Sequence, residues 1–117
     1  MKKRKHSKIG VVGSRSFSDY KTLSSVLTPL TPFTLISGGA KGADQLAERF
    51  ADEHKLKKII HKPDWNKYGL AAGFIRNKLI VLDSEVLVAF WDGKSKGTED
   101  SIRKARKKNM VIVTVKF

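Results

Sequence analysis

The chain of 117 residues has a formal net charge of +13 and a hydrophobic content of 40%. This length suits one domain with one core, and no apolar run reaches the ~20 residues that a membrane-spanning helix needs. The absence of cysteine excludes disulfides, thiolate nucleophiles and cysteine zinc sites. The basic N-terminus has no apolar stretch of the kind found in signal peptides, so we expect a cytoplasmic protein with no membrane partner.

The positive charge is concentrated in two segments. One segment is the N-terminus, where we expect residues 1–7 to form a disordered basic leader ahead of a single domain at 8–117. The leader is either a flexible arm that contacts nucleic acid or another polyanion, or a solubilising tail. The second segment, residues 103–108, ends the last predicted helix, where basic side chains complement the helix dipole.

The first predicted elements are a strand and a helix. Residues 8–13 are apolar enough for a buried strand, and a glycine-serine turn follows them. The next helix carries Phe17 on its apolar face, and Ser16 or Ser18 is its predicted N-cap. Residues 33–36 then predict the end of a second buried strand.

Residues 35–44 are the most informative stretch, because a strand, a glycine turn and a helix N-terminus follow one another. Glycine at positions 38, 39 and 42 permits backbone conformations closed to other residues and keeps side chains away from the backbone amides. The free amides of the first turn of a helix, here expected at 42–54, suit a phosphate or carboxylate. We therefore expect a ligand at this turn.

Two common glycine motifs are absent. A Walker A loop needs Ser or Thr directly after Gly-Lys, whereas Lys41 precedes Gly42 and Ala43 follows it. The dinucleotide fingerprint Gly-x-Gly-x-x-Gly does not follow the first strand, which offers only Gly10 and Gly13. P-loop kinases, P-loop ATPases and ordinary NAD-dependent dehydrogenases are therefore disfavoured.

The second half of the chain predicts three strands and two helices. In order, its segments are a strand at 56–61, a polar loop at 63–69, a helix from 70 to 82, a strand at 86–91, a glycine loop at 92–98, a helix ending near 109 and a strand at 110–115. The polar loop holds the aromatic residues Trp65 and Tyr68. We expect Thr98 to be the N-cap of the last helix, with Glu99 and Asp100 in its first turn.

Five apolar strands that alternate with four helices predict an α/β fold with a parallel sheet. The specific expectation is a Rossmann-like three-layer sandwich, a five-stranded parallel sheet with strand order 3-2-1-4-5. In such a sheet the ligand crevice lies at the carboxyl ends of the strands, where the order reverses between strands 1 and 4. The turns at 13–17, 37–44 and 92–98 all reach that edge.

Four motifs resemble those of a known family: Val-Val-Gly-Ser-Arg at 11–15, Ser-Gly-Gly-Ala-Lys-Gly-Ala-Asp at 37–44, Ala-Gly-Phe-Ile-Arg-Asn at 72–77 and Trp-Asp-Gly-Lys-Ser-Lys-Gly-Thr at 91–98. In this order and spacing they are similar to the YspA, or cpYpsA-related, branch of the SLOG superfamily. That superfamily also includes the LOG-type phosphoribohydrolases and the DprA/Smf single-stranded DNA-binding proteins. The resemblance implies a Rossmann-like fold that binds nucleotides or nucleotide-derived ligands, and a homo-oligomer such as a dimer.

The resemblance also implies roles for individual residues. The phosphate-cradling turn of the superfamily matches Gly38, Gly39 and Gly42. Its second turn, a glycine-threonine turn, matches Gly97 and Thr98, and the arginine-asparagine pair of the branch matches Arg76 and Asn77. LOG enzymes carry a catalytic glutamate at the position of Ser101, whereas the acids here sit earlier, at Glu99 and Asp100. This departure disfavours LOG-type N-glycosidic hydrolysis without excluding another reaction.

Three functions remain open at this stage. The first is binding of a nucleotide-derived small molecule, the second is a nucleotide N-glycosidic hydrolase with Arg76, Asp44 and Glu99 as catalytic candidates, and the third is single-stranded nucleic-acid binding. We expect the ligand-binding residues to be Gly13, Ser14, Arg15, Ser37, Gly38, Gly39, Ala40, Lys41, Gly42, Asp44, Trp65, Arg76, Asn77, Gly93, Ser95, Gly97 and Thr98. No metal or other cofactor is expected, because the histidines are scattered without metal-ligand spacing.

Several of these residues have an alternative structural interpretation. Gly38, Gly39 and Gly42 either form only a tight turn or also bind the ligand, and Arg76 is either a surface salt-bridge partner or a functional residue. Arg15 either faces solvent beside a capping serine or contacts a phosphate. Asp44 either complements the dipole of its own helix or holds a ribose hydroxyl. Trp65 either packs over its loop or stacks on a base.

Overall fold

The strands form one parallel sheet in the order β3-β2-β1-β4-β5 in the computed structural model, which describes residues 7–117. The strands are β1 Ser7–Gly13, β2 Phe33–Ser37, β3 Lys58–Ile60, β4 Val86–Trp91 and β5 Val111–Lys116. In the centre of the sheet, Ile9 of β1 pairs with Leu35 of β2 and with Val86 of β4. The predicted strand order is confirmed.

Helices cover both faces of the sheet. They are α1 Tyr20–Leu27, α2 Ala43–Glu53, the single-turn α3 Trp65–Tyr68, α4 Ala72–Asp83 and α5 Lys96–Lys107, with 3-10 turns at Thr28–Leu30 and Gly69–Ala71. One core cluster joins α1 and α2 to one face of β1, β2 and β4, and a second joins α4 and α5 to the other. The fold is therefore the expected Rossmann-like three-layer sandwich.

The first helix begins later than the sequence pattern predicts. Asp19 is its N-cap and accepts a hydrogen bond from the Thr22 amide at 3.1 Å, so the prediction of Ser16 or Ser18 is wrong. Phe17 lies on the preceding turn, where its ring stacks on Phe90 with centroids 4.8 Å apart. Phe17 therefore belongs to the hydrophobic core through the turn before α1 and is not part of the apolar face of that helix.

The last helix begins three residues earlier than predicted. Ser95 is the N-cap of α5, and its hydroxyl accepts a hydrogen bond from the Thr98 amide at 3.4 Å. Thr98 is consequently buried inside the first turn instead of capping it. The early start brings the first free amides of α5 to the carboxyl edge of the sheet.

Three further observations concern the predicted segments. The predicted polar loop at 63–69 contains the turn of helix α3. Ser7 is the first residue of β1, and the remainder of the predicted leader lies outside the described residues. None of the helices between residues 7 and 117 combines the length and apolar character needed to cross a membrane.

Candidate functional site

A cavity of about 440 Å³ opens at the carboxyl edge of the sheet, between the ends of β1 and β4. This is the point at which the strand order reverses, where ligands bind in open parallel sheets. The walls come from the end of β1, from the loops after β1, β2 and β4, and from α2, α4 and α5: Val12, Gly13, Ser14, Arg15, Ser16, Ala40, Asp44, Arg76, Asn77, Ile80, Asp92, Ser95, Gly97, Thr98 and Ser101.

Backbone hydrogen bonds hold the loops after β1 and β4 together. The Ser14 amide donates to the Phe90 carbonyl at 2.9 Å, and the Ser14 hydroxyl accepts from the Asp92 amide at 3.2 Å. The Asp92 carboxylate accepts from the amides of Lys94 and Ser95, each at 2.8 Å. These two amides hold the pKa of Asp92 below its usual value. Asp92 thus acts as a loop anchor that stays ionised at neutral pH.

The N-terminus of α5 presents free backbone donors to the cavity. Among the hydrogen bonds of residues 7–117, none uses the amide of Lys96 or Gly97, the first two residues of the helix. A Cβ atom at residue 97 would have no heavy atom outside its own helix and chain neighbours within 4 Å. This combination of free amides, helix dipole and open space suits an anion.

The pair Arg76 and Asn77 connects α4 to the loop after β2 and to the first turn of α5. Arg76 donates from Nη1 to the Gly38 carbonyl at 2.7 Å and from Nε to the Asn77 side-chain oxygen at 3.0 Å. Asn77 is buried and donates from Nδ2 to the Gly97 carbonyl and to Asp100 Oδ2, each at 3.1 Å. Asn77 therefore positions the guanidinium of Arg76 relative to the start of α5.

Two guanidinium groups, of Arg15 and Arg76, and two carboxyl groups, of Asp44 and Asp92, set the charge of the cavity. Burial lowers the pKa of Arg76 from its usual value, Asp44 opposes that effect, and the neighbouring Arg15 adds to it. Asp44 is 5% exposed, and its burial raises its pKa to about 6, although the Ala40 amide at 3.1 Å and Arg76 favour its ionised form. Above pH 6, Asp44 and Asp92 come close to balancing the two arginines, so the groups in this cavity that suit an anion are local donors, the guanidinium groups and the free amides of α5.

The glycines of the β2–α2 turn serve packing within the protein. A Cβ atom at residue 38 would lie 2.6 Å from Arg76 Nη1, and one at residue 42 would lie 2.5 Å from the carbonyl oxygens of Ser14 and Arg15. Gly42 also has a φ of +79°. Glycine at 38 and 42 is therefore required by close protein contacts, whereas the sequence pattern predicted that it makes room for a ligand.

A second cavity of about 520 Å³ adjoins the first. The two cavities share Arg15, Ala40 and Arg76, and the remaining walls of the second are Gly39, Lys41, Lys62, Pro63 and Trp65. Trp65 is 52% exposed. The predicted residues Gly39, Lys41 and Trp65 therefore lie in this second cavity.

Comparisons with known proteins decide the family. A sequence profile described as the YspA, cpYpsA-related SLOG family matches residues 7–68. The chain belongs to this SLOG family. The Gene 61 protein of Mycobacterium phage D29 is similar to this chain, with 31% identity over an alignment of 114 residues. The alignment covers 88% of this chain and 91% of that protein.

Solved structures support the fold of this SLOG protein. DNA processing protein A (DprA) from Streptococcus pneumoniae is similar with a TM-score of 0.80 and 21% identity, over 93% of this chain and 50% of that one. DprA from Helicobacter pylori, whose structure describes a single-stranded DNA binding mode, is similar with a TM-score of 0.71 and 23% identity, over 92% of this chain and 64% of that one. This chain thus spans 50% of the length of the first DprA chain and 64% of the length of the second. Sequence identities of 21% and 23% establish a shared fold and nothing beyond it.

Some candidate residues of the SLOG protein lie away from both cavities. Glu99 points away from the lining, with its side chain 57% exposed and an oxygen 3.9 Å from Arg103 Nη2. Gly93 and Ser37 line neither cavity: a Cβ atom at residue 93 would lie 3.5 Å from Lys116 Cε, and Ser37 is fully buried. The structure therefore does not bring Glu99 to the position of a catalytic acid.

Sequence reasoning missed several lining residues. Lys62 and Pro63 come two and three residues after the end of β3, and this position near the carboxyl edge of the sheet was the signal that could have identified them. Ser101 lines the first cavity at the position where LOG enzymes carry their glutamate. Among residues 7–117, no cluster of three His, Asp or Glu side chains is arranged to hold a metal ion.

Proposed function

We propose that this SLOG protein binds a nucleotide or nucleotide-derived ligand in the cavity between the ends of β1 and β4. The strongest support is that one cavity brings together Gly97, whose amide makes no hydrogen bond within residues 7–117, and the guanidinium groups of Arg15 and Arg76. A phosphate at the start of α5 would accept from the Gly97 amide and gain from the helix dipole. Arg76 uses two of its five donors within the protein and keeps the others for the ligand.

The remaining walls suit the sugar and the base. Ser14, Ser16 and Ser101 offer hydroxyl groups for ribose, while Val12 and Ile80 provide an apolar surface. The cavity volume of about 440 Å³ lies within the ~300–1,000 Å³ that is typical of small-molecule sites. Membership of the SLOG family agrees with this chemistry.

Filling the cavity tests the proposal. Gly97→Leu adds a side chain where a Cβ atom meets open space, and Arg103→Leu adds the same side chain to the exposed face of the same helix. We expect calorimetry with a panel of 5′-mononucleotides to detect binding by the wild type and by Arg103→Leu, and no binding by Gly97→Leu. At 100 times its dissociation constant, a bound ligand stabilises the fold by about 2.7 kcal/mol, which a melting curve also detects. Equal binding by Gly97→Leu would contradict the proposal.

A second candidate function, N-glycosidic hydrolysis, is favoured by Asp44. A carboxyl group with a pKa raised to about 6, lining the cavity, is suited to general acid or base catalysis near neutral pH. Against it, the LOG glutamate is replaced by Ser101, and Oδ2 of Asp44 is engaged by the Ala40 amide. Release of free base from a bound nucleotide, lost in Asp44→Asn but not in Asp52→Asn, would establish this reaction, because Asp52 is exposed and lines neither cavity.

A third candidate function, single-stranded DNA binding, is favoured by the basic second cavity and by the likeness to DprA. The contribution of the N-terminal leader to DNA binding can be measured separately from that of the second cavity. Because β1 begins at Ser7, a truncation of residues 1–6 leaves that strand complete. Binding of an oligonucleotide that falls steeply with salt, and is lost on this truncation, would assign the contact to a basic arm.

The homo-oligomer expected from the family is also a proposal. Large apolar side chains of Leu70, Phe74 and Leu82 are exposed on and next to α4, with Leu70 at 93%. Such a group of apolar side chains supports self-association through α4. Sedimentation velocity over a concentration series tests it, and a monomer at every concentration would exclude it.

A further inference from the structure

The second cavity differs in chemistry from the first. Its walls include four cationic side chains, from Arg15, Lys41, Lys62 and Arg76, and no acidic residue. Within residues 7–117, neither Lys41 nor Lys62 takes part in an ion pair. An unbalanced group of cations around an open volume is complementary to an anion.

The same cavity has an aromatic wall. Trp65 belongs to the single turn of α3, and half of its surface is exposed beside the cavity. Its Cη2 atom lies 3.6 Å from the position of a Cβ at Gly73, and Arg76 Nη2 lies 3.9 Å from that same position. The indole is therefore held near the guanidinium that both cavities share. An exposed indole next to cations is suited to stacking on a nucleobase that carries phosphate.

The shared wall makes the two cavities one continuous site. Arg15, Ala40 and Arg76 line both, so a ligand that reaches from one cavity to the other must pass the two guanidinium groups. A guanidinium binds the oxygens of a phosphate through two parallel hydrogen bonds. Each cavity alone has the volume of a small-molecule site, and a mononucleotide in the first leaves Trp65, Lys41 and Lys62 without a contact.

We propose that the second cavity is a subsite for a second nucleobase linked through phosphate, so that the ligand is a dinucleotide rather than a mononucleotide. This inference rests on the proposed function of the first cavity. The linking phosphate lies against Arg15 and Arg76, the second base stacks on Trp65, and Lys41 and Lys62 contact the phosphate from the side of the second cavity. Trp65 is then the residue that distinguishes a dinucleotide from a mononucleotide.

The experiment compares one-base and two-base probes by calorimetry on the full chain. The probes are the four 5′-mononucleotides, the four 5′-phosphorylated homodinucleotides and NAD, which distinguish a phosphodiester from a pyrophosphate link. The variants are Trp65→Leu, Trp65→Phe and, as a matched control, Tyr68→Leu. Tyr68 is the other exposed aromatic residue of α3 and lines neither cavity. Circular dichroism confirms that each variant is folded.

We expect at least one two-base probe to bind at least about tenfold more tightly than its mononucleotide, the range that base stacking provides. Trp65→Leu should remove this advantage and leave mononucleotide binding unchanged, while Trp65→Phe and Tyr68→Leu should retain it. The better of the two linkages identifies the class of dinucleotide.

Three results would overturn the inference. If mononucleotides bind and two-base probes bind no more tightly, the subsite is refuted while the proposed function stands. If Trp65→Leu weakens mononucleotides and dinucleotides equally, Trp65 belongs to the first cavity. A series of oligodeoxythymidines of increasing length is measured as well. If no one-base or two-base probe binds but the affinity of this series rises with length, both the subsite and the proposed function fail in favour of nucleic-acid binding.

Discussion

Arg76 occupies the space that a side chain at Gly38 would fill. Its Nη1 atom lies 2.6 Å from the position of a Cβ at residue 38 and donates to the Gly38 carbonyl at 2.7 Å. Asp44 Oδ2 lies 3.0 Å from the same position, so the glycine leaves room for both the guanidinium and the carboxyl group. A glycine at the end of β2 thereby determines where the guanidinium of α4 enters the site.

This relationship predicts a coupling between the two positions. Gly38→Ala should destabilise the protein by about 1–3 kcal/mol, because the added methyl group overpacks against Arg76 and Asp44. In an Arg76→Ala background the same change should cost less, since the displaced guanidinium is absent. Urea denaturation of the four proteins of this double-mutant cycle measures the coupling. An equal cost in both backgrounds would mean that Arg76 does not require the glycine.

The turn before α2 predicts a larger cost at Gly42 than at Gly69. Both glycines have positive φ, at +79° and +57°, with ψ at −123° and −137°, so alanine is strained at either position. A Cβ at residue 42 also meets two carbonyl oxygens at 2.5 Å, whereas one at residue 69 has no heavy atom within 4 Å. Gly42→Ala should therefore lose about 1 kcal/mol or more beyond the loss of Gly69→Ala in urea denaturation. Equal losses would show that backbone strain alone governs both positions.

Lys108 stabilises the C-terminus of α4. Its ammonium donates to the carbonyls of Val81, Leu82 and Ser84 at 2.9, 3.2 and 3.1 Å, close to the negative end of the helix dipole. Lys108→Met should cost about 1 kcal/mol or more. Lys107→Met is the matched control, because Lys107 makes no side-chain hydrogen bond among residues 7–117. Thermal denaturation compares the two, and similar losses would contradict the capping role.

Asp44 predicts a pH dependence of stability. Burial raises its pKa from 3.8 to about 6 in the folded state, so the folded protein holds this proton more tightly than the unfolded chain does. The resulting stabilisation is complete below pH 3.8 and is lost as pH rises through about 6. The stability of the wild type relative to Asp44→Asn should therefore fall by about 2 kcal/mol between pH 4.5 and 7.5.

Urea denaturation of both proteins at the two pH values measures this change. The comparison cancels the titration of carboxyl groups common to both proteins, and the pKa of Asp92, which is lowered, keeps that neighbour ionised throughout. A constant difference between wild type and Asp44→Asn would contradict the raised pKa.

The local pattern of the sequence determined the architecture. Strands that are apolar on both faces require a covered parallel sheet, and alternation with helices leads to the observed order β3-β2-β1-β4-β5. The carboxyl ends of parallel strands meet at one edge, so the loops holding Arg15, Ala40 and Gly97 were predicted to converge there. Helix starts were less well determined, because Asp19 and Ser95 compete with neighbouring residues that have the same capping chemistry.

Only the tertiary structure decided how the site residues meet. Gly38 and Arg76 are 38 positions apart, and nothing in either local sequence indicates that one makes room for the other. Lys62 joins the site because β3 packs beside β2, whereas Glu99 leaves it because the start of α5 at Lys96 turns that side chain toward solvent. Sequence periodicity specifies which face of an element is buried, but the distance between two side chains depends on how separate elements pack.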